Sequence, residues 1–152
     1  MAVDTAPWPF TWGQSECYHK IAQGPIGSDR EWRPLATEDE VRDFLLSLKI
    51  RLATEGNLVL IEREKNLNAL ADLGAWESDI SPVIRSLTLT EYCEGPAPDD
   101  KGGPEEWWIF GPTRLEAVLY IKVALAPRDK VKCMSFHRAE YPLAYPCRRG
   151  GR

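Results

Sequence analysis

The fold is decided by two apolar stretches near the C-terminal end of the chain, LYIKVAL at residues 119–125 and VKCMSFH at residues 131–137. In the first stretch an apolar residue recurs at every second position, which is typical of a β-strand with one buried face. The five residues between the stretches include Pro127 and Asp129, which favour a turn. We therefore predict an antiparallel pair of strands, over 116–125 and 131–136.

Between residue 37 and these two strands, the sequence predicts three helices and two further strands. Thr37 and Glu40 form a T-x-x-E capping box, in which each side chain can accept a hydrogen bond from the other residue's backbone. Residues 95–104 are rich in glycine and proline and are predicted to form a loop. In chain order the predicted elements are a helix over 37–54, a strand over 57–61, a helix over 64–73 ended by Gly74, a third helix capped by Ser78 or Asp79, and strands over 106–110, 116–125 and 131–136.

This order of elements indicates an α+β fold, with N-terminal helices packed on a small, mostly antiparallel β-sheet. The first 36 residues show no lasting period but contain several tryptophans, so we predict an irregular N-terminal arm. We divide the chain into this arm at 1–36, a single domain at 37–147 and a basic C-terminal tail at 148–152.

Alternation along the last two strands predicts one exposed face that carries polar side chains. Tyr120 and Lys122 alternate with the apolar residues of their strand, so we expect them to point away from the helices. In the other strand we assign Met134 and Phe136 to the core. Four polar side chains are then expected to share the exposed face: Tyr120, Lys122, Ser135 and His137.

Such a set of side chains suits a phosphodiester. A lysine can neutralise charge on phosphoryl oxygens, and a histidine can accept or donate a proton near neutral pH. A tyrosine can stack on a base or donate a hydrogen bond. In RNA the adjacent 2′-hydroxyl can act as the nucleophile, so we expect neither a metal ion nor another cofactor. The same residue types also have ordinary structural roles, in strand-edge protection, packing and capping.

Charge is unevenly distributed along the chain. The net charge is -4, yet residues 113–152 contain nine basic and three acidic side chains, a net +6. A basic segment in an acidic protein favours a phosphate-rich partner such as RNA, or else a solvated surface. The residues that we expect to contact the RNA backbone are Lys132, Arg138, Arg148 and Arg149.

The four cysteines lack the paired spacing of a zinc site, so we expect free thiols; they are Cys17, Cys93, Cys133 and Cys147.

No apolar run approaches the roughly 18 residues of a membrane span. The N-terminus does not have the basic-then-apolar pattern of a secretory signal. We expect a cytoplasmic protein with no membrane partner.

Several short motifs occur in a particular order: R-x-K-N at 63–66, E-Y-x-x-G-P at 91–96, W-W-I-F-G at 107–111, L-Y-I-K at 119–122 and S-F-H-x-A-E at 135–140. This succession resembles the MqsR-like family of bacterial type II toxins, which is related to the RelE-type mRNA interferases. The resemblance covers roughly residues 57–147. It implies a RelE-like fold and a metal-independent endoribonuclease of a toxin–antitoxin system, inhibited by a cognate antitoxin protein.

The resemblance also suggests roles for individual residues. Tyr120 and Lys122 match the family's Tyr-x-Lys strand, in which the tyrosine is implicated in activity. His137 follows Ser-Phe, where the founding toxin carries a catalytic lysine, and a histidine can also donate a proton. We therefore expect His137 to be the general acid or base, Lys122 the phosphate stabiliser and Tyr120 the positioning group. The expected product is a 2′,3′-cyclic phosphate.

Two other functions stay open at this point. One is a non-catalytic module on the same fold that binds RNA or protein. The other is a protein-interaction domain that docks a partner through its tryptophan-rich arm. A homodimer is compatible with all three hypotheses.

Overall fold

The computed structural model describes residues 35–148. Most of the predicted arm at 1–36, with Cys17, and residues 149–152 of the predicted tail lie outside the described residues. The helices are α1 (Glu38–Leu52), α2 (Glu64–Leu73) and α3 (Ile80–Arg85), with 3-10 turns at Glu77–Asp79 and Leu89–Glu91. The strands are β1 (Leu58–Leu60), β2 (Tyr92–Pro98), β3 (Glu106–Phe110), β4 (Thr113–Arg114), β5 (Ala117–Ala126) and β6 (Lys130–Arg138). No helix in this part of the chain is long and apolar enough to cross a membrane.

The strands form one sheet in the order β1-β6-β5-β3-β2, with β4 paired to β5. Among the strands of residues 35–148, only β1 runs parallel to its neighbour, and the other pairs are antiparallel. The fold is therefore α+β, with helices on a mostly antiparallel sheet, as predicted. The predicted pairing of the last two strands is also confirmed, because Tyr120 lies opposite His137 and Lys122 lies opposite Ser135.

The apolar stripe of α1 covers the inner face of the sheet. Its N-terminus has the predicted capping box: Thr37 N donates to Glu40 Oε1 at 2.9 Å, and Glu40 N donates to Thr37 Oγ1 at 3.1 Å. Phe44 stacks on Trp108 of β3, with ring centroids 4.3 Å apart. The core between helix and sheet includes Val41, Leu48, Leu119, Ile121, Val123 and Phe136. Because these residues bury one face of β5, the alternate residues of β5 point to the opposite face.

The second helix has the predicted bounds and ends at Gly74, which adopts a left-handed conformation with φ 68°. The third helix is shorter than its apolar pattern indicates, and the prediction of a side-chain cap is wrong. Asp79 Oδ2 instead accepts a hydrogen bond from Trp76 N at 2.8 Å, which closes the 3-10 turn before α3.

The prediction of a loop over 95–104 is wrong for its first four residues, which belong to β2. Gly95 has φ 119°, and a Cβ at this position would lie 2.5 Å from the carbonyl oxygen of Trp107. Only glycine allows the strand to approach β3 this closely. The glycines and prolines that look like loop residues therefore shape an irregular edge strand. The remaining residues, 99–104, do form a loop.

A β-bulge in β6 turns the side chain of Met134 to the face of the sheet opposite to the predicted one. Lys122 pairs with Ser135 but Val123 pairs with Cys133, so Met134 is an extra residue in β6. The bulge reverses the alternation, and Cys133 packs in the core with Phe136. The prediction that Met134 belongs to the core is therefore wrong, since Met134 lies on the polar side of the sheet. The preceding strand also starts one residue later than predicted, because Glu116 has φ 61°.

Candidate functional site

The side chain of Asn66 holds the bulge in place. Asn66 lies in the first turn of α2 and is completely buried. Its Nδ2 donates to the carbonyl oxygens of Ile61 at 2.8 Å and Met134 at 2.9 Å, and its Oδ1 accepts from Phe136 N at 3.2 Å. One amide thus joins the end of β1 to both sides of the bulge. As a result, Ser135 and His137 point to the polar side.

Tyr120 and His137 form a cross-strand pair on this side of the sheet. Their rings stack, with centroids 5.3 Å apart and planes at 13°. Successive residues on one face of a strand are separated by about 7 Å, and paired residues on neighbouring strands by about 5 Å. Tyr120, His137, Lys122 and Ser135 therefore stand at the corners of a rectangle of roughly 5 by 7 Å.

His137 is held in one tautomer by a backbone hydrogen bond. Its Nδ1 lies 2.8 Å from the carbonyl oxygen of Arg138, and because a carbonyl can only accept, Nδ1 carries the proton in the neutral ring. The lone pair is then on Nε2, which bonds no described residue. Burial lowers the pKa of His137 from its ordinary value, and the nearby charges of Lys65 and Arg63 lower it further, against opposing effects of the Arg138 carbonyl and Glu140. At neutral pH the imidazole is therefore the neutral form, which can accept a proton.

The pKa of Tyr120 is shifted in the opposite direction to that of His137, so the Tyr120 hydroxyl keeps its proton at neutral pH. Burial is the main cause that raises the pKa of Tyr120 far above its ordinary value, and interactions with Tyr141 and Glu94 add to the effect. The phenol is therefore suited to hydrogen bonding and ring stacking rather than to proton transfer. This fits the positioning role that is predicted for it.

The rectangle opens into a cavity of about 460 Å³. A cavity of this size falls in the range of small-molecule binding sites. Its lining is mostly polar and comes from the sheet, the β1–α2 connection, the loop after β2 and the segment after β6: Ile61, Arg63, Lys65, Asp99, Asp100, Lys101, Tyr120, Lys122, Met134, Ser135, His137, Glu140 and Tyr141. The four lysine and arginine side chains exceed the three carboxylates by one positive charge.

Only one of the four cations that line the cavity, Lys122, comes from the basic segment at 113–152. Arg63 and Lys65 come from the connection before α2, and Lys101 comes from the loop after β2. Lys65 forms an ion pair with Glu140 at 3.0 Å. Lys122 lies 5.9 Å from the centre of the Trp107 ring. Among the described residues, Arg63, Lys101 and Lys122 make no ion pair within 4.0 Å, although the charge of Lys122 helps to lower the pKa of the Asp99 carboxyl.

The loop at 99–104 forms one wall of the cavity and is organised by Asp99. Its Oδ1 accepts from Trp107 Nε1 at 2.9 Å, and its Oδ2 accepts from Gly103 N at 3.0 Å and Lys101 N at 3.1 Å. The Trp107 hydrogen bond is the main cause that lowers the pKa of Asp99. Asp99 therefore stays charged and fixes the loop that carries Lys101.

The predicted site residues divide into two groups. Tyr120, Lys122, Ser135 and His137 share one face and line one cavity, as the alternation of the strands indicates. The prediction that this face is exposed is wrong for three of them, because Tyr120, Ser135 and His137 are buried, and a second apolar cluster around Tyr120 covers part of the face. The three described residues that were predicted to contact the RNA backbone do not line it. Lys132 pairs with Glu105 at 2.6 Å, Arg138 pairs with Asp72 at 2.7 Å, Arg148 lies 3.8 Å above the Tyr145 ring, and Arg149 is outside the described residues.

Arg63 and Lys65 are the functional candidates that the sequence reasoning gave no role. The R-x-K-N motif at 63–66 was a usable signal, because it places two cations and Asn66 on one short connection.

Within residues 35–148 no group of three or more histidine, cysteine, aspartate or glutamate side chains is arranged to hold a metal ion. Comparisons with protein-family models, curated proteins and solved structures find no match to this chain.

Proposed function

We propose that this protein is a toxin-type endoribonuclease that cleaves mRNA by attack of a 2′-hydroxyl on the adjacent phosphodiester. The observation that carries the proposal is the neutral, oriented imidazole of His137 in a cavity that also holds unpaired cations. A base and positive charge on one concave surface are what this reaction needs. The resemblance to the MqsR-like toxins supports the same substrate.

In the proposed reaction, His137 Nε2 takes the proton of the 2′-hydroxyl. The 2′-oxygen forms a bond to phosphorus as the bond from phosphorus to the 5′-oxygen breaks. The 5′-oxygen takes a proton from water, and the imidazolium returns its proton to solvent. The products are a 2′,3′-cyclic phosphate and a 5′-hydroxyl. Lys122, across the strand pair from Ser135, stabilises charge on the phosphoryl oxygens.

Tyr120 holds the ring of His137 by stacking and keeps it against the Arg138 carbonyl. Its hydroxyl interacts with Tyr141, so the proposed role of Tyr120 rests on the stacking of its ring against His137. No metal ion takes part in the proposed steps. The proposal also includes a cognate antitoxin protein that inhibits the enzyme.

The test is induced expression in bacteria, followed by growth curves and analysis of total RNA. We expect wild type to arrest growth and fragment mRNA, and His137→Ala to do neither at equal protein level. Arg42→Gln is the matched control, since Arg42 is an exposed residue of α1 that pairs with Glu38 and Asp39. Intact RNA with the wild-type protein would contradict the proposal. RNA that is bound but not cleaved would favour the non-catalytic binding module on the same fold.

A further inference from the structure

Arg63 has an unusual guanidinium among the described arginines. Arg42, Arg114 and Arg138 each pair with a carboxylate and Arg51 donates to backbone carbonyls, whereas Arg63 makes no ion pair with a described residue. Its Nε is shielded from solvent and has no hydrogen-bond partner within residues 35–148. A shielded donor on a charged group is costly unless a ligand or an ordered water satisfies it.

The guanidinium of Arg63 is nevertheless held in a defined place. Its Nη2 donates to Ser135 Oγ at 3.1 Å, which joins the β1–α2 connection to β6. Ser135 is buried and lies opposite Lys122, so this contact brings Arg63 toward the cavity corner next to Lys122. Arg63 also lines the cavity together with His137, whose pKa its charge lowers. A fixed guanidinium with unused donors is suited to two-point binding of phosphate oxygens.

We infer that Arg63 binds the phosphate of the substrate in this cavity, and that the Ser135 hydroxyl positions it there. Ser135 is thus a positioning residue, and Arg63 supplies a fork of donors in the cavity that Lys122 also lines. The inference rests on the proposed function only in taking a phosphodiester as the substrate. It requires no cleavage, because the contact is made in the bound state.

The test is the binding of a fluorescent single-stranded RNA decamer in which every sugar is 2′-O-methylated and therefore cannot be cleaved. Anisotropy titrations at several salt concentrations give both the affinity and the slope of log K against log[salt]. Each phosphate contact in single-stranded RNA contributes about 0.7 to this slope. We expect Arg63→Gln to weaken binding about tenfold and to reduce the slope by about 0.7, which is the loss of one contact.

Three further variants separate charge, geometry and folding. Arg63→Lys should keep the slope and weaken binding by about threefold, because it retains the charge but not the fork. Ser135→Ala should also keep the slope and weaken binding to a similar extent. Arg42→Gln, on the far side of the sheet, should bind like wild type. Urea unfolding of each variant checks that the domain is folded, and Arg63→Lys still tests the inference if Arg63→Gln does not fold.

The results also distinguish the inference from the proposed function. Wild-type affinity and slope in Arg63→Gln, or equal losses in Arg63→Gln and Arg42→Gln, would overturn the inference while leaving RNA cleavage intact. RNA binding that depends on Arg63, without cleavage of ordinary RNA by wild type, would support the inference and contradict the endoribonuclease. Wild-type protein that binds neither the decamer nor inorganic phosphate would overturn both.

Discussion

Removal of the Asn66 side chain tests how the site is held in place. Asn66 is completely buried and makes three hydrogen bonds to the backbone, two as donor and one as acceptor. In Asn66→Ala, the carbonyls of Ile61 and Met134 and the N–H of Phe136 lose these partners. Each unsatisfied buried group costs about 1–3 kcal/mol, and water that enters the vacated space recovers part of this. We expect a loss of about 3–5 kcal/mol in the free energy of unfolding.

Urea denaturation followed by tryptophan fluorescence measures this loss, because Trp107 and Trp108 are buried beside the sheet core. Asn68→Ala is the matched control: Asn68 lies on the same helix and is exposed, so its substitution should change stability by less than about 0.5 kcal/mol. We also expect Asn66→Asp to gain stability as the pH falls from 7 to 4. Its carboxylate would face two carbonyl oxygens, so protonation in the folded state is favoured.

The reasoning is refuted if Asn66→Ala loses no more stability than Asn68→Ala. A small loss would mean that the bulge at Met134 does not depend on the Asn66 amide. Asn66→Ala protein that is less stable but, where folded, binds RNA like wild type would also contradict the reasoning. That result would mean that the bulge does not set the direction of the Ser135 and His137 side chains.

Three other predictions concern the strand edge, the histidine and the buried thiol. Gly95→Ala should lower the free energy of unfolding by at least about 3 kcal/mol, since the added Cβ would overlap the Trp107 carbonyl. Gly56→Ala should lower it by about 1 kcal/mol, because the added Cβ has open space and only the left-handed backbone conformation is unfavourable for alanine. Equal losses in urea denaturation would contradict this. The pKa of His137 is lower in the folded state than in the unfolded state, so the unfolded chain binds a proton more readily below about pH 6.5. We therefore expect His137 to leave stability unchanged above about pH 6.5 and to reduce it as the pH falls below that value. Two-dimensional NMR titration should place its midpoint below 6.5, and a midpoint above that value would contradict the burial argument. Burial raises the pKa of the Cys133 thiol to about 12, so alkylation mapped by mass spectrometry should modify it only after unfolding; rapid modification of the folded protein would be the contrary result.

The elements with a strong local period could be predicted from the sequence. The first helix was predicted from its capping box, and in the structure Thr37 caps a helix of 15 residues that has an acidic first turn and one buried apolar stripe. The pairing of β5 with β6 follows from alternation and from the short turn between them. Local pattern is sufficient here because each element buries one continuous face.

The features that were missed depend on contacts between distant parts of the chain. The composition of β2 indicates a loop, and only its packing against Trp107 makes Gly95 part of a strand. The bulge at Met134 needs an amide supplied from 68 residues earlier in the chain. Strict alternation cannot reveal such an insertion, so it placed Met134 in the core.

The candidate site shows the same division. The four polar residues of β5 and β6 were predicted together because they belong to one strand pair. The other cations that line the cavity come from connections whose course is set by tertiary packing, whereas the C-terminal basic residues were predicted from charge alone. Of those, Lys132 and Arg138 are already paired with Glu105 and Asp72.

The central claim is that His137 acts as a base on RNA in this cavity. The most direct measurement is mass spectrometry of the 3′ ends produced when purified protein is incubated with an RNA oligonucleotide. We predict 2′,3′-cyclic phosphate ends with wild type, and none with a folded His137→Ala variant that still binds the 2′-O-methylated decamer. Uncut RNA with wild type, or the same cyclic ends with His137→Ala, would contradict the account.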